Sequence, residues 1–279
     1  MEPGGKIAVR AYGSPANPGP VVVLHGGPGA PGSAVGLARC LSRDFRVLEP
    51  LQRTAGSYPL SVSRHVNELL AVLPPNAVLV GWSWGAMLGL SFAARHPGQL
   101  TALVLVGCGT YDAQSRARLK ERLRQCLDGE GQKRLASLRQ TLGASPDPES
   151  GGRLLAEMGR LIAQASSYDD LQDRSEPLPV DYTGHAQTWA GVLRLQEEGI
   201  EPRIFHNIRV PVLMVHGEVD PHPGRETRDL LRRHVADLEY HELPRCGHQP
   251  WNERHANEAF LDLISGWIAQ YAGSPLTDA

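Results

Sequence analysis

The chain has 279 residues, 28 Lys plus Arg against 30 Asp plus Glu, a formal net charge of -2 and 41% apolar residues. This balance lacks the basic excess that nucleic acid requires of a partner, and the apolar share is too high for a disordered chain. No run approaches the roughly 18 apolar residues of a membrane span. Met1–Arg10 lacks the apolar core of a signal peptide. Cys40, Cys108, Cys126 and Cys246 form no C-x-x-C zinc pattern, so a reduced, cytoplasmic chain without metal is expected.

The predicted elements alternate at first. Val21–Leu24 and Phe45–Leu48 are brief apolar runs bounded by Gly or Pro, the pattern of strands buried on both faces. Ser61–Leu73 has helical length and spacing and is stopped by Pro74. Ala77–Val80 is a strand, Trp84–His96 a helix stopped by Pro97–Gly98, and Ala102–Val106 a strand. After Gly109 the alternation breaks. Arg116–Leu127, Gln132–Leu142, Arg153–Gln164 and His185–Glu198 read as helices, separated by proline and acidic clusters near Ser145–Glu149 and Asp169–Pro179. Arg116, Arg118, Lys120, Arg122 and Arg124 sit at even spacing, which turns by about 200° per step. They spread around a solvated helix rather than forming a phosphate-binding stripe. Val210–His216 resumes the strands and Leu238–Leu243 is the last. Glu253–Tyr271 is a closing amphipathic helix with Ala259, Phe260, Leu263, Ile264 and Trp267 on one side. The tail Gly273–Ala279 is expected to fray. The fold class is therefore α/β, a mostly parallel sheet with helices on both faces. Residues 1–110 and 208–279 form the core, and 111–207 an inserted helical cap.

The sharpest motif is Gly81-Trp82-Ser83-Trp84-Gly85, a G-x-S-x-G between a strand and a helix. A nucleophile elbow needs this context, with a sharp turn exposing Ser83 Oγ and glycines where backbones crowd. The following helix N-terminus offers donors and a positive dipole to an oxyanion. His25-Gly26-Gly27-Pro28-Gly29 directly follows a strand. With Trp84, it can supply the second backbone N–H of an oxyanion hole, for which Gly27 is preferred to Gly26. His25 itself is expected to brace its loop.

A nucleophilic serine needs a base, and the base an orienting carboxylate. Asp220, in His216-Gly217-Glu218-Val219-Asp220-Pro221, follows one late strand, and His248, in Cys246-Gly247-His248-Gln249-Pro250, follows the next. The order Ser83, Asp220, His248 and the position of each at a strand's C-terminal end suit one ligand-facing edge. Glu218 stands as the alternative acid.

These segments resemble the α/β-hydrolase superfamily, over about Ile7–Gly109 and Ile208–Tyr271. The H-G-G-P-G loop with a G-x-S-W-G elbow and a helical cap is similar to the proline iminopeptidase branch. The resemblance implies a Ser83–Asp220–His248 triad, an oxyanion hole at Gly27 and Trp84, and no cofactor. The chain also departs from the branch. Leu51-Gln52-Arg53-Thr54-Ala55-Gly56-Ser57 stands where the branch carries D-Q-R-G-x-G-x-S, and Trp82 replaces a glycine and is expected to crowd the mouth of the site beside Gly26. The acidic residues that hold a substrate amine in the branch do not map, Glu197 and Glu198 being candidates only as cap acids. The expected function is a serine hydrolase cleaving a small ester or amide, carboxylesterase-like. Proline iminopeptidase acting on short peptides is the alternative, and a ligand-binding protein with little turnover the rival from another class.

Overall fold

The apolar runs assemble into one seven-stranded sheet in the order β1-β3-β2-β4-β5-β6-β7. In this computed structural model the described residues are 6–56, 58–144, 146–171 and 179–273. Met1–Gly5, Ser57, Ser145, most of the acidic stretch before Pro179 and the tail beyond Gly273 lie outside them. The strands are β1 (Val9–Tyr12), β2 (Val21–Leu24), β3 (Val47–Pro50), β4 (Ala77–Trp82), β5 (Leu100–Val106), β6 (Val212–Gly217) and β7 (Leu238–Leu243). Only β1 runs antiparallel, pairing β3 at the edge; β3, β2, β4, β5, β6 and β7 are parallel neighbours.

β2, β4 and β6 are buried at every residue, as unbroken apolar runs demand of strands covered on both faces. Along β2, Val22 and Leu24 join the apolar layer holding α2 (Val62–Leu70) and α3 (Trp84–Arg95). Val21 and Val23 point the other way, to the layer holding α1 (Val35–Leu41) and α9 (Asn257–Ile268). Each large side chain sealed in these layers contributes about 1.5–3 kcal/mol relative to exposure. Among the described residues no helix is long and apolar enough to cross a membrane.

Between β5 and β6 come α4 (Ala113–Cys126), α5 (Gly129–Gly143), α6 (Pro148–Ala165) and α7 (Tyr182–Glu197), then a 3-10 turn at Arg203–Asn207. Asp112, Asp128, Asp147 and Asp181 cap the four helices through side-chain oxygens. On α4, Arg118 pairs Glu226 and Arg124 pairs Glu121, so its basic side chains spread as expected.

Three expectations are corrected. β3 begins at Val47 rather than Phe45, which is buried in the preceding turn. The closing helix starts at Asn257 rather than Glu253: a 3-10 turn occupies Pro250–Asn252, and Glu253 is extended because it bridges Asp170. Ala259 is exposed; the buried side is Phe260, Ile264, Trp267 and Ile268. The edge strand β1, the short helix α1 and α8 (Gly224–Leu231) escaped prediction.

Candidate active site

Ser83 occupies the one-residue turn between β4 and α3, with φ 55° and ψ -115°. Such a backbone costs of order 1–3 kcal/mol in a non-glycine residue and must be imposed by its surroundings. Here Ser83 N–H donates to Val106 O at 2.8 Å. A Cβ on Gly81 would meet Gly85 O at 2.2 Å, so the turn closes only with glycine there. The platform behind it is rigid, since every residue of α3 from Trp84 to Ala94 is buried. Trp84 donates its indole N–H to Gln52 Oε1 at 2.7 Å, so Gln52 braces the elbow.

Asp220 and His248 leave the ends of β6 and β7. His248 Nδ1 lies 2.7 Å from Asp220 Oδ2. A carboxylate only accepts, so Nδ1 carries the proton in this hydrogen bond. The other oxygen, Oδ1, accepts from the backbone N–H and from Nδ1 of His222, both at 2.9 Å. His222 also stacks on His248, with ring centroids 4.4 Å apart. Burial alone would raise the Asp220 carboxyl, yet the charges and hydrogen bonds of His248 and His222 outweigh it and hold the group well below the usual carboxylate range. Glu218, by contrast, is exposed and accepts from Arg245 N–H at 3.2 Å. Gly107, at φ 54°, forms the floor: a Cβ there would lie 2.8 Å from His248 Nδ1.

Backbone contacts seat His248. Its N–H donates to Ser166 O at 2.9 Å, and its carbonyl accepts from Trp82 Nε1 at 3.0 Å. Trp82 borders the cavity but is only 8% exposed, packed edge-on to Trp251 at 5.2 Å. A Cβ on Gly26 would meet the same indole at 2.7 Å, so Gly26 lies behind Trp82.

The loop after β2 carries His25 fully buried, with Nδ1 2.9 Å from Gly26 O; burial lowers its pKa to about 4, which fits a bracing role. Gly27, at φ 56°, faces the same cavity as Ser83. Helix α7 grips this loop from outside. Asp181 N–H donates to Gly29 O at 2.7 Å, and His185 Nδ1 lies 2.9 Å from Pro28 O. Gly29, at φ 80°, has no room for a Cβ, which would fall 2.3 Å from Asp181 O.

A cavity of about 210 Å³ separates the two halves of the molecule. Gly27, Ser83 and His248 border it from the core, and Gly159, Ala163 and Ser166 from α6 and its exit. A larger open hollow of about 560 Å³ along α6 is bordered by none of Ser83, Asp220 and His248. Glu197 and Glu198 are exposed at the end of α7; the acid that borders the cavity is Asp170, which no sequence pattern marked. Asp220, His222 and His248 also form the cluster of metal-ligand type, with donor atoms within 4.8 Å of one another. Their 2.7 and 2.9 Å contacts are those of hydrogen bonds, shorter than the about 3.3 Å that separates two ligands on a tetrahedral zinc.

The family model described as Alpha/beta hydrolase family matches residues 21–263. A pimeloyl-[acyl-carrier protein] methyl ester esterase of Nitrosospira multiformis is 27% identical over 198 residues, 67% of this chain and 66% of that protein. A probable proline iminopeptidase of Streptomyces coelicolor is 30% identical over 179 residues, 57% of this chain and 55% of that one. The chain thus spans 66% and 55% of the length of these two curated relatives. Among solved structures, a Paleococcus ferrophilus monoacylglycerol lipase superposes with a TM-score of 0.62 at 17% identity, covering 96% of this chain and 100% of that one, which is a likeness of fold. With the family match running from β2 into the last helix, over an elbow, a sheet and an inserted set of helices of this kind, the chain belongs to the alpha/beta hydrolase family.

Proposed function

We propose that the chain is a serine hydrolase of small esters or amides, carboxylesterase-like, working through an acyl-enzyme. The observation that carries this is the hydrogen bond from His248 to the buried Asp220, with the imidazole bordering the same cavity as Ser83. In this mechanism His248 Nε2 takes the Ser83 proton as Oγ bonds to the substrate carbonyl carbon. The oxyanion is stabilised by the N–H groups of Gly27 and Trp84 at the start of α3. The intermediate collapses with loss of the alcohol or amine, which receives the proton from His248. Water then gives a proton to Nε2 as its oxygen bonds to the acyl carbon, and Nε2 returns that proton to Ser83 Oγ as the acyl bond breaks and the acid leaves. Asp220 fixes the tautomer and stabilises the imidazolium. Residues 111–207 act as the cap, with α6 shaping the acyl or leaving-group space and excluding water.

Two observations favour proline iminopeptidase as the second reading: the Streptomyces relative, and Asp170 beside the cavity, an acid that could meet a substrate ammonium. The four cysteines, far apart in the sequence and without a C-x-x-C pair, fit a reducing, cytoplasmic setting. The test is labelling of Ser83 by a fluorophosphonate, followed by turnover of p-nitrophenyl acetate against Pro-β-naphthylamide. Labelling with preferential ester turnover is expected. Preferential release of naphthylamine would favour the peptidase, and labelling without turnover of either a binding protein. Absence of labelling in folded protein would overturn the triad.

A further inference from the structure

The residue that links the helical insertion to His248 is Glu253. It is 1% exposed and points inward from an extended backbone. Its Oε1 accepts from Ser167 Oγ at 2.9 Å, Tyr168 N–H at 3.0 Å and Gly247 N–H at 3.0 Å. Its Oε2 accepts from Asp169 N–H at 2.8 Å and Tyr168 N–H at 3.2 Å. Three of these four donor groups belong to the strap that leaves α6, and the fourth is the backbone of the residue before His248. The same strap places Ser166 O on His248 N–H, while Leu171 N–H reaches Asn252 O at 2.8 Å and Arg254 N–H reaches Asp169 O at 2.9 Å. The fit is tight: a Cβ on Gly247 would lie 2.0 Å from Ser166 O and 2.5 Å from Glu253 Oε1.

We infer that Glu253 is a positioning residue for the base: its carboxylate ties the strap to Gly247, and the strap in turn holds the backbone of His248. A carboxylate suits this place because it only accepts, and hydrogen bonds to an ionised acceptor are roughly twice as strong as neutral ones. An amide would turn one acceptor into a donor aimed at other donors. The strap then cannot lift without drawing His248 away from Ser83, so this corner of the insertion stays shut while substrate enters.

The inference rests on Ser83 and His248 acting as proposed, and the experiment separates the two. Ester turnover, KM and the rate of fluorophosphonate labelling are measured for the wild type and for Ser83→Ala, Glu253→Gln, Ser167→Ala and Gly247→Ala. A misplacement of about 1 Å at a reacting group costs up to about 100-fold. The expectation for Glu253→Gln is therefore a fall of about 10- to 100-fold in kcat and in labelling rate, with KM within about threefold. Gly247→Ala should give the same split by pushing the strap off with Glu253 intact, and Ser167→Ala a smaller loss of the same kind. A folded Glu253→Gln with kcat within twofold of wild type, or one in which only the melting temperature or KM moves, overturns the inference. If Glu253→Gln does not fold, Gly247→Ala and Ser167→Ala decide by the same criterion. Turnover surviving in Ser83→Ala overturns the triad, and this inference with it; a silent Ser83→Ala beside a wild-type-like Glu253→Gln overturns the inference alone.

Discussion

The sheet core and the helical insertion are held by different forces. The core has two extended apolar layers, filled by side chains such as Phe92 on one face and Phe260 on the other, and the first also takes in Tyr111, Val192 and Phe205 of the insertion. The insertion has one small apolar cluster of its own, Leu123, Leu127 and Leu135 with Met158, Leu161, Ile162 and Ala165 against it. Beside that apolar contact its attachment is polar: α7 on Pro28 and Gly29 and the strap on Gly247 and His248, at loops of the site, and Gln187 on Leu60 N–H and Thr188 on His65, just before and within α2. Substitutions in the core layers should therefore act on folding. Substitutions in the insertion, away from Tyr111, Val192 and Phe205, should act more on chemistry and selectivity than on stability.

The sharpest break of that contrast would come at the groups of the core proposed to react. Ser83→Ala and His248→Ala should each remove ester turnover by up to about 10⁶ in kcat while circular dichroism stays native. Asp220→Asn should cost about 10⁴, because an amide favours the wrong imidazole tautomer. Glu218→Gln, at an exposed acid, should stay within about twofold, and initial rates on one ester rank all four.

A stability measurement sharpens the comparison next. His25, His65 and His216 are sealed in the core, and burial lowers each pKa to about 4. The unfolded chain protonates them near pH 6.5, the folded one only near pH 4. Their stabilising contribution is thus whole above about pH 6.5 and is withdrawn as pH falls toward 4, at most about 3 kcal/mol each. Asp220 is depressed also, so its contribution is present at neutral pH and is lost only below about pH 4. Urea unfolding at pH 7.5 and 5 should show the loss, and His65→Gln should flatten the slope. An unchanged slope in that variant would remove His65 from the account.

The smallest expected effect lies in the insertion. Gly159 borders the cavity, and a Cβ there would meet no atom within 4 Å. Gly159→Ala should stabilise α6 by about 0.5–1 kcal/mol, and Gly159→Val should shift turnover from longer toward shorter acyl chains. A chain-length profile identical to wild type would place the acyl group elsewhere.

What the sequence made legible follows the same division. β2, β4, β5 and β6 were readable because strands covered on both faces are continuous apolar runs, Ser83 and Asp220 because each follows such a strand, and His248 from the Gly-His turn after the half-exposed edge strand β7. β1 was hidden by its half-exposed edge position, with alternating side chains that carry no apolar run. α1 and α8 were hidden by brevity and by N-caps, Ala34 and Pro223, that make no side-chain cap bond. Gly107, His222, Asp170 and Glu253 were beyond local pattern altogether. Their importance lies in what a distant part of the chain brings against them, as when α6 delivers the strap to Glu253.

The grip of α7 on Pro28 and Gly29 bears on transplantation. An insertion that joined the core only at residues 110 and 208 would be an exchangeable module, open to replacement by the helices of any relative. This one reaches back over 150 residues to clasp the loop that carries Gly27, through Asp181 and His185. A foreign set of helices spliced between those junctions would arrive without these partners and leave the loop unclasped. Chimeras of this chain therefore have to carry residues 26–30 across with the helices, as one inherited piece.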